Sequence, residues 1–368
     1  MVGKTRKPGE ISPPTLTGLQ VARGLAAFSV TLHHALETSN GVPGSFSPDW
    51  LTTGGAGGVD IFFVISGFIM AHTTFRPGLP TPTAAAFLQR RATRIYPLYW
   101  LACLAMLSLM ALGFFQSRVL SSADVVRALV LLPGGQPIIG VAWTLVYEVY
   151  FYLIFAACLA LRRPSLVLWA TSSIMVAILV LAQGLPESGM QRFLSDPIPL
   201  EFLLGIGLAR VLPHVEGWLK GVVPASLLVF FGFALLYAAP SIVPHETTHG
   251  LEGWARVAAW GVPGLLIVTG LLVMPERTGW LAHLLKALGD ASYALYLTHV
   301  FILMGYGLIL RKTAVAEFPQ YLLVIPVVLL ACLVGGAAHV LAERPLLRLA
   351  RQTIDRATRS RLAAVAAT

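Results

Sequence analysis

Charge is what this sequence has least of. Lysine, arginine, aspartate and glutamate together make up 12% of the 368 residues, about half the usual share of a soluble domain. So little charge cannot clothe a water-soluble fold of this length, which excludes an ordinary soluble enzyme. Cysteine is equally sparse. Cys103, Cys158 and Cys332 lie far apart inside apolar runs and form no CxxC, which excludes a disulfide framework and a cysteine-based zinc site. They read as small buried hydrophobes. Internal repeats are missing too: "FFVISGF" does not recur in the second half. The net charge is +9, yet the basic residues fall mostly in loops and tails with no basic-aromatic patch, so no nucleic-acid partner is expected.

What the chain has is apolar length. Hydrophobic residues make up 56% of it. They gather into runs long enough to cross a hydrocarbon core at about 1.5 Å per residue. Ten spans are expected, near 17–36, 55–72, 95–115, 139–161, 165–183, 198–212, 222–239, 256–274, 289–310 and 321–342. The fold class is therefore an all-α polytopic membrane bundle. The first run carries Arg23, His33 and His34 and no small-residue cleavage site, so it reads as an uncleaved span and not a signal peptide. With the N-terminus inside, Lys4, Arg6, Lys7, Arg90, Arg91, Arg94, Arg162, Arg163 and the arginines after Glu343 share one side. Fewer basic residues, Arg118, Arg127, Arg192 and Arg256 among them, fall on the other. Both termini are then cytoplasmic. Residues 1–350 form the transmembrane domain and 351–368 a basic cytoplasmic tail that meets lipid headgroups.

Ionisable groups inside such spans cost several kcal/mol unless paired or hydrated, so each is a candidate for function, with a purely structural interhelical bond as the alternative. Arg23 and His34 are eleven residues apart. At 100° per residue they fall about 20° from the same line on one helix face, about 16 Å apart along the axis. Asp60, in "GGAGGVDIFF", enters its span one turn in; it either orients His34 or a neighbouring arginine, or caps the helix N-terminus. The glycines before it allow close backbone packing, and their spacing is not that of a phosphate loop. Arg90, Arg91 and Arg94 are either ordinary inside charge or an anion site. Glu148, alone among the aromatics of "WTLVYEVYFYL", needs a partner from another helix, and His34 is expected at comparable depth. Ser292, Tyr296 and His299 share a face; His299 is either a satisfied core histidine or a catalytic one. Tyr147, Tyr296, His299 and Glu201 are the candidates for substrate contact. Glu343 and Arg344 read as an inner structural pair. His245, Glu246 and His249 spell HETTH, and Glu252 follows close behind. The stretch lies on a short loop behind Pro244, a chance likeness to a helical zinc motif, and no metal is expected.

Taken in order, "LQVARGLAAFSVTLHHA", "GGVDIFFVISGFIM", "RRATRIYPLYW", "WTLVYEVYFYL", "EFLLGIGLA", "SYALYLTH" and "AERPLLR" span nearly the whole chain. Together they resemble the acyltransferase-3 family of bacterial membrane acyltransferases, especially its exopolysaccharide and O-antigen modifying members. The resemblance implies about ten spans in the bacterial cytoplasmic membrane. It implies that Arg23 and His34 fill an arginine-x10-histidine motif with His34 catalytic, that Arg90, Arg91 and Arg94 engage acyl-CoA, and that Glu148 is the family's buried glutamate. Some relatives carry an extracytoplasmic esterase-like domain; none is read here. The expected reaction moves an acyl group, acetyl above all, from cytoplasmic acetyl-CoA to a polysaccharide or lipid-linked sugar. His34 acts as base or as acylated nucleophile, oriented by Glu148 or Asp60. The rival is a transporter or flippase of a lipid-linked sugar or small anion, which also explains buried charge.

Overall fold

The computed structural model describes residues 13–41, 47–75, 81–114, 118–245, 250–276, 278–313 and 318–354. Its α-helices include α1 (Pro13–Asn40), α2 (Asp49–Thr52), α3 (Gly58–Thr74), α4 (Ala84–Ala111), α5 (Ser122–Leu129), α6 (Trp143–Cys158), α7 (Pro164–Ala182) and α8 (Gly189–Ser195), followed by α9 (Leu200–Leu219), α10 (Val222–Ile242), α11 (Gly253–Arg256), α12 (Val262–Val273), α13 (Trp280–Asp290), α14 (Ser292–Lys312) and α15 (Gln320–Ala338), with further helix over 344–354. No strand occurs among the described residues. In lipid every backbone polar group must be satisfied within the chain, and helices do that within a single segment.

Nine helical segments of the described residues are long and apolar enough to span a membrane. They match nine of the ten expected runs. The tenth, α1, is 28 residues long and falls outside that group, because Gln20, Arg23, His33 and His34 dilute its apolar residues. It packs against α3, α12, α13, α14 and α15, so its polar face meets protein. Two boundaries differ from expectation. α4 begins at Ala84, capped by the Thr83 hydroxyl, so Arg90, Arg91 and Arg94 lie on the helix and not in a loop before it. α9 runs on to Leu219 through Pro213; Pro213, His214 and Glu216 had cut the apolar run short.

Glycine sets the tightest seams. A Cβ at Gly67 would overlap the Phe202 carbonyl, and one at Gly205 the Val64 carbonyl, so α3 and α9 pack backbone to backbone. A Cβ at Gly289 would overlap the Gln20 carbonyl, which ties α13 to α1. Small residues allow such approach between membrane helices. "GGAGG" behaves likewise: Gly55 and Gly58 lie against the Ser29 and Ala26 carbonyls of α1. α4 differs, because Pro97 interrupts it and removes a backbone hydrogen bond three residues beyond Arg94. Of the expected HETTH stretch, Glu246 to His249 lie outside the described residues, as does the tail beyond Ile354.

Candidate active site

The single polar face expected of α1 is present, and it has polar neighbours along its length. Near its start, Arg23 donates from Nε and Nη2 to the Ser292 hydroxyl at 3.2 and 3.0 Å. Near its end, His34 stacks on His299, ring centroids 5.5 Å apart. Ser292, Tyr296 and His299 therefore form a stripe on α14 that runs beside α1. Two cavities lie along it. One, about 650 Å³, is lined by His33, His34, Glu37, Trp143, Tyr147, Asp196, Arg256 and Tyr296, with exposed Gln136, Arg192 and Glu252 at its rim. The other, about 120 Å³, is lined by Arg23, Ser66, Arg91, Arg94, Glu148, Tyr152, Ser292 and Tyr296.

The partner of His34 is not the one expected. Its Nδ1 lies 3.0 Å from Glu37 Oε2, three residues on along α1. A carboxylate only accepts, so His34 donates from Nδ1, and in the neutral ring Nε2 then carries the lone pair. That is the orientation a general base needs. His33 donates from Nδ1 to the Thr52 carbonyl at 2.7 Å, and its Nε2 lies 4.0 Å from the same carboxylate. His33, His34 and Glu37 each offer one atom within 4.8 Å of the others, so this trio could hold a metal ion. A cation there has to displace the proton His34 shares with Glu37. His299 donates from Nδ1 to the Leu295 carbonyl at 3.1 Å. It is fully buried behind His34 and lines neither cavity.

Glu148 and Asp60 are both placed away from His34. Glu148 Oε1 accepts from the Ser66 hydroxyl at 3.1 Å and the Tyr152 hydroxyl at 2.5 Å, in the smaller cavity with Arg23 and Arg91. Span order put it level with His34, but it faces the other end of the polar axis. Asp60 takes the alternative of a neighbouring arginine. Arg256 donates to both its oxygens at 2.9 and 2.8 Å, and the helix N-terminus gets no side-chain cap. The Arg256 guanidinium lies 5.4 and 5.0 Å from the ring centres of Trp143 and Trp260, a cation held by aromatic faces. Glu201 is fully buried, and Gly261 leaves the room its side chain occupies. It lines neither cavity, so it is not placed to touch substrate. Tyr147 does line the larger cavity, its hydroxyl donating to Asp196 at 3.0 Å and its ring stacked on Phe193.

The arginine trio divides by side chain. Arg90 is exposed and outside the cavity lining. Arg91 lies over Phe87 and Tyr152, at 5.5 and 5.7 Å, and its buried Nε has no partner among the described residues. Arg94 pairs with Glu343. Glu343 also accepts from His339 Nδ1 at 2.7 Å, and Arg344 Nε donates to the far nitrogen of His339 at 3.1 Å. The expected Glu343–Arg344 pair is thus replaced by a chain that runs through His339. Glu37, Arg256 and Ser66 were missed in the sequence. Only Glu37 had a local signal, its spacing of three from His34.

A multi-pass membrane bundle with an oriented histidine–carboxylate couple on the wall of an open cavity is the class these features define. Residues 16–337 match the family described as "Acyltransferase domain", and the chain belongs to it: the protein is a membrane-embedded acyl-transferring enzyme of the acyltransferase-3 family. It is similar to the exopolysaccharide production protein ExoZ of Rhizobium meliloti (strain 1021), 32% identical over 81% of this chain and 91% of that one. It is also similar to the acyltransferase MdmB of Streptomyces mycarofaciens, 28% identical over 93% of each. No solved structure matches it.

Proposed function

We propose that the enzyme carries an acetyl group across the bacterial cytoplasmic membrane, from acetyl-CoA inside to a sugar hydroxyl of a polysaccharide or lipid-linked precursor outside. The observation that carries this reading is the pairing of two unlike cavities along one face of α1. The smaller one has the Arg23 and Arg91 guanidiniums, and the unpartnered Arg91 Nε suits an acceptor atom of the donor. Its volume leaves room for a short acyl thioester and not for a nucleotide. The nucleotide's phosphates would stay outside it, and Arg90 is exposed on the same helix one residue before Arg91. The larger cavity offers aromatic rings and hydrogen-bonding groups at Trp143, Tyr147, Asp196 and Arg256, a chemistry suited to sugar. The name of the Rhizobium relative, exopolysaccharide production, favours a polysaccharide acceptor.

In this reading His34 Nε2 takes the proton of the attacking hydroxyl, and Glu37 holds the ring and stabilises the imidazolium that forms. The sugar oxygen bonds to the thioester carbonyl carbon, the carbon–sulfur bond breaks, and the proton on His34 goes to the departing thiolate. Arg23 and Arg91 hold the donor, and Glu148 fixes the Tyr152 and Ser66 hydroxyls around it. The test is turnover of labelled acetyl-CoA by the purified chain with a polysaccharide acceptor present, beside His34→Ala of equal solubility and thermal midpoint. Loss of turnover in the variant is expected. Binding of acetyl-CoA without turnover in either protein would overturn the reading and favour the transporter.

A further inference from the structure

The two cavities lie end to end, and among the described residues their linings share only Val59 and Tyr296. Tyr296 sits on α14 one turn beyond Ser292, the partner of Arg23, and almost one turn short of His299, the neighbour of His34. Any group passed from the Arg23 end to the His34 end has to cross its level. The ring is nearly buried and is met edge-on by Phe62, centroids 6.3 Å apart. Its hydroxyl is latched at both sides. It donates to the carbonyl of Val141, which lines the larger cavity, at 2.6 Å. The Thr144 hydroxyl, on the lining of the smaller cavity, lies 2.7 Å from it and 3.2 Å from the same Val141 carbonyl, so the three groups share one hydrogen-bonded cluster. Val141 belongs to the short turn Gly140–Ala142 that leads into α6, so the latch closes α14 onto the start of α6. Val59, the other shared residue, has no polar atom on its side chain to latch.

We infer that Tyr296 is the partition between the two chambers, held shut by Val141 and Thr144 and displaced each time a group passes from one chamber to the other. The identity of that group rests on the proposed acetyl transfer; the partition itself does not. A shut partition keeps solvent on the His34 side from the donor's thioester until an acceptor is in place. On the acetyl reading, Tyr296→Phe therefore hydrolyses donor without acceptor faster than the wild type.

The direct test reads access, not chemistry. Ser66 lines only the smaller cavity, so Ser66→Cys in the full chain is a reporter there, with the parent chain and its native cysteines as blank. A membrane-impermeant, charged thiosulfonate is applied to the His34 side of oriented vesicles. With Tyr296 present the reporter is expected to react no faster than the blank. Tyr296→Phe loses both hydroxyl bonds and is expected to react about tenfold faster than the reporter chain with Tyr296. Tyr296→Ala is expected to match the rate seen with reagent on the Arg23 side. If Tyr296→Ala loses Arg23-side labelling through misfolding, Tyr296→Phe and Thr144→Val decide. Equal His34-side rates for Tyr, Phe and Ala, whether fast or at blank, would overturn the partition. Labelling that follows residue 296 in a protein that never turns over acetyl-CoA would keep the partition and discard the acetyl reading.

Discussion

Glu37→Gln isolates the contribution of one charge. The amide has the carboxylate's shape and replaces the oxygen that faces His34 Nδ1 at 3.0 Å with a neutral group. Two effects follow. The imidazolium formed during transfer loses a facing negative charge. The amide NH₂ can also donate to Nδ1, which moves the ring proton to Nε2 and leaves no base toward the substrate. A charge-assisted hydrogen bond contributes about 1.5–3 kcal/mol when shielded from water. Here the side chains of His34 and Glu37 are 31% and 42% exposed, so solvent screening takes part of that. A loss of about 1–2 kcal/mol remains, roughly five- to thirty-fold in kcat/KM at 1.36 kcal/mol per tenfold. That is far below the ~10⁴ seen where a triad carboxylate is fully buried. The assay is CoA release by purified protein, followed with a thiol reagent, for wild type, Glu37→Gln and Glu148→Gln matched for thermal midpoint. The reasoning fails if Glu37→Gln stays within twofold of wild type.

Three further expectations concern other parts of the bundle. Asp60→Asn or Arg256→Gln alone strands one member of a buried bidentate pair and is expected to cost about 3–5 kcal/mol, read as a lower thermal midpoint in detergent; Asp60→Leu with Arg256→Met recovers most of it, and neutral single variants would refute the role of the pair. Arg91→Gln raises KM for the donor with the midpoint unchanged, whereas Arg94→Gln lowers the midpoint as well because it leaves Glu343 to His339 alone; identical behaviour of the two variants would contradict the division between them. At the rim of the larger cavity, the Ser121 hydroxyl and then the backbone N–H groups of Gln136 and Ser121 hold the Asp124 carboxyl below its ordinary range. The ordering it gives is complete above the usual carboxylate pKa and lost as pH falls through the lowered one, so amide protection over residues 121–136, taken relative to the intrinsic exchange rate at each pH, falls only in acid, and protection that does not change with pH would argue against it.

What could be read in the sequence was what repeats along a single helix. The face shared by Arg23 and His34, the stripe of Ser292, Tyr296 and His299 and nine of the ten apolar runs all depend on spacing within one segment, and spacing survives in a linear string. Partnerships between helices do not. Asp60 meets Arg256 across 196 residues, and Arg94 meets Glu343 across 249; no local pattern carries either pair. Arg256 was counted as a loop charge because a long chain segment separates it from its carboxylate. Glu148 went to the wrong chamber because depth was judged from span order, and the direction a side chain faces depends on packing. Glu37 was overlooked for a smaller reason. The expected first span stopped at residue 36, so the carboxylate fell just outside it, whereas α1 continues to Asn40.

Pro97 gives α4 a mechanical asymmetry. On the facing wall, α3 is fastened to α9 and α1 to α13 by backbone contacts that leave no slack. Across the smaller cavity, α4 carries its arginines on turns joined to the rest of the helix by a step that lacks one hydrogen bond. A stiff wall opposite a jointed one puts the compliance of that cavity at the joint. The turns bearing Arg90, Arg91 and Arg94 can tilt there while Arg23, on the fastened side, stays as a fixed reference.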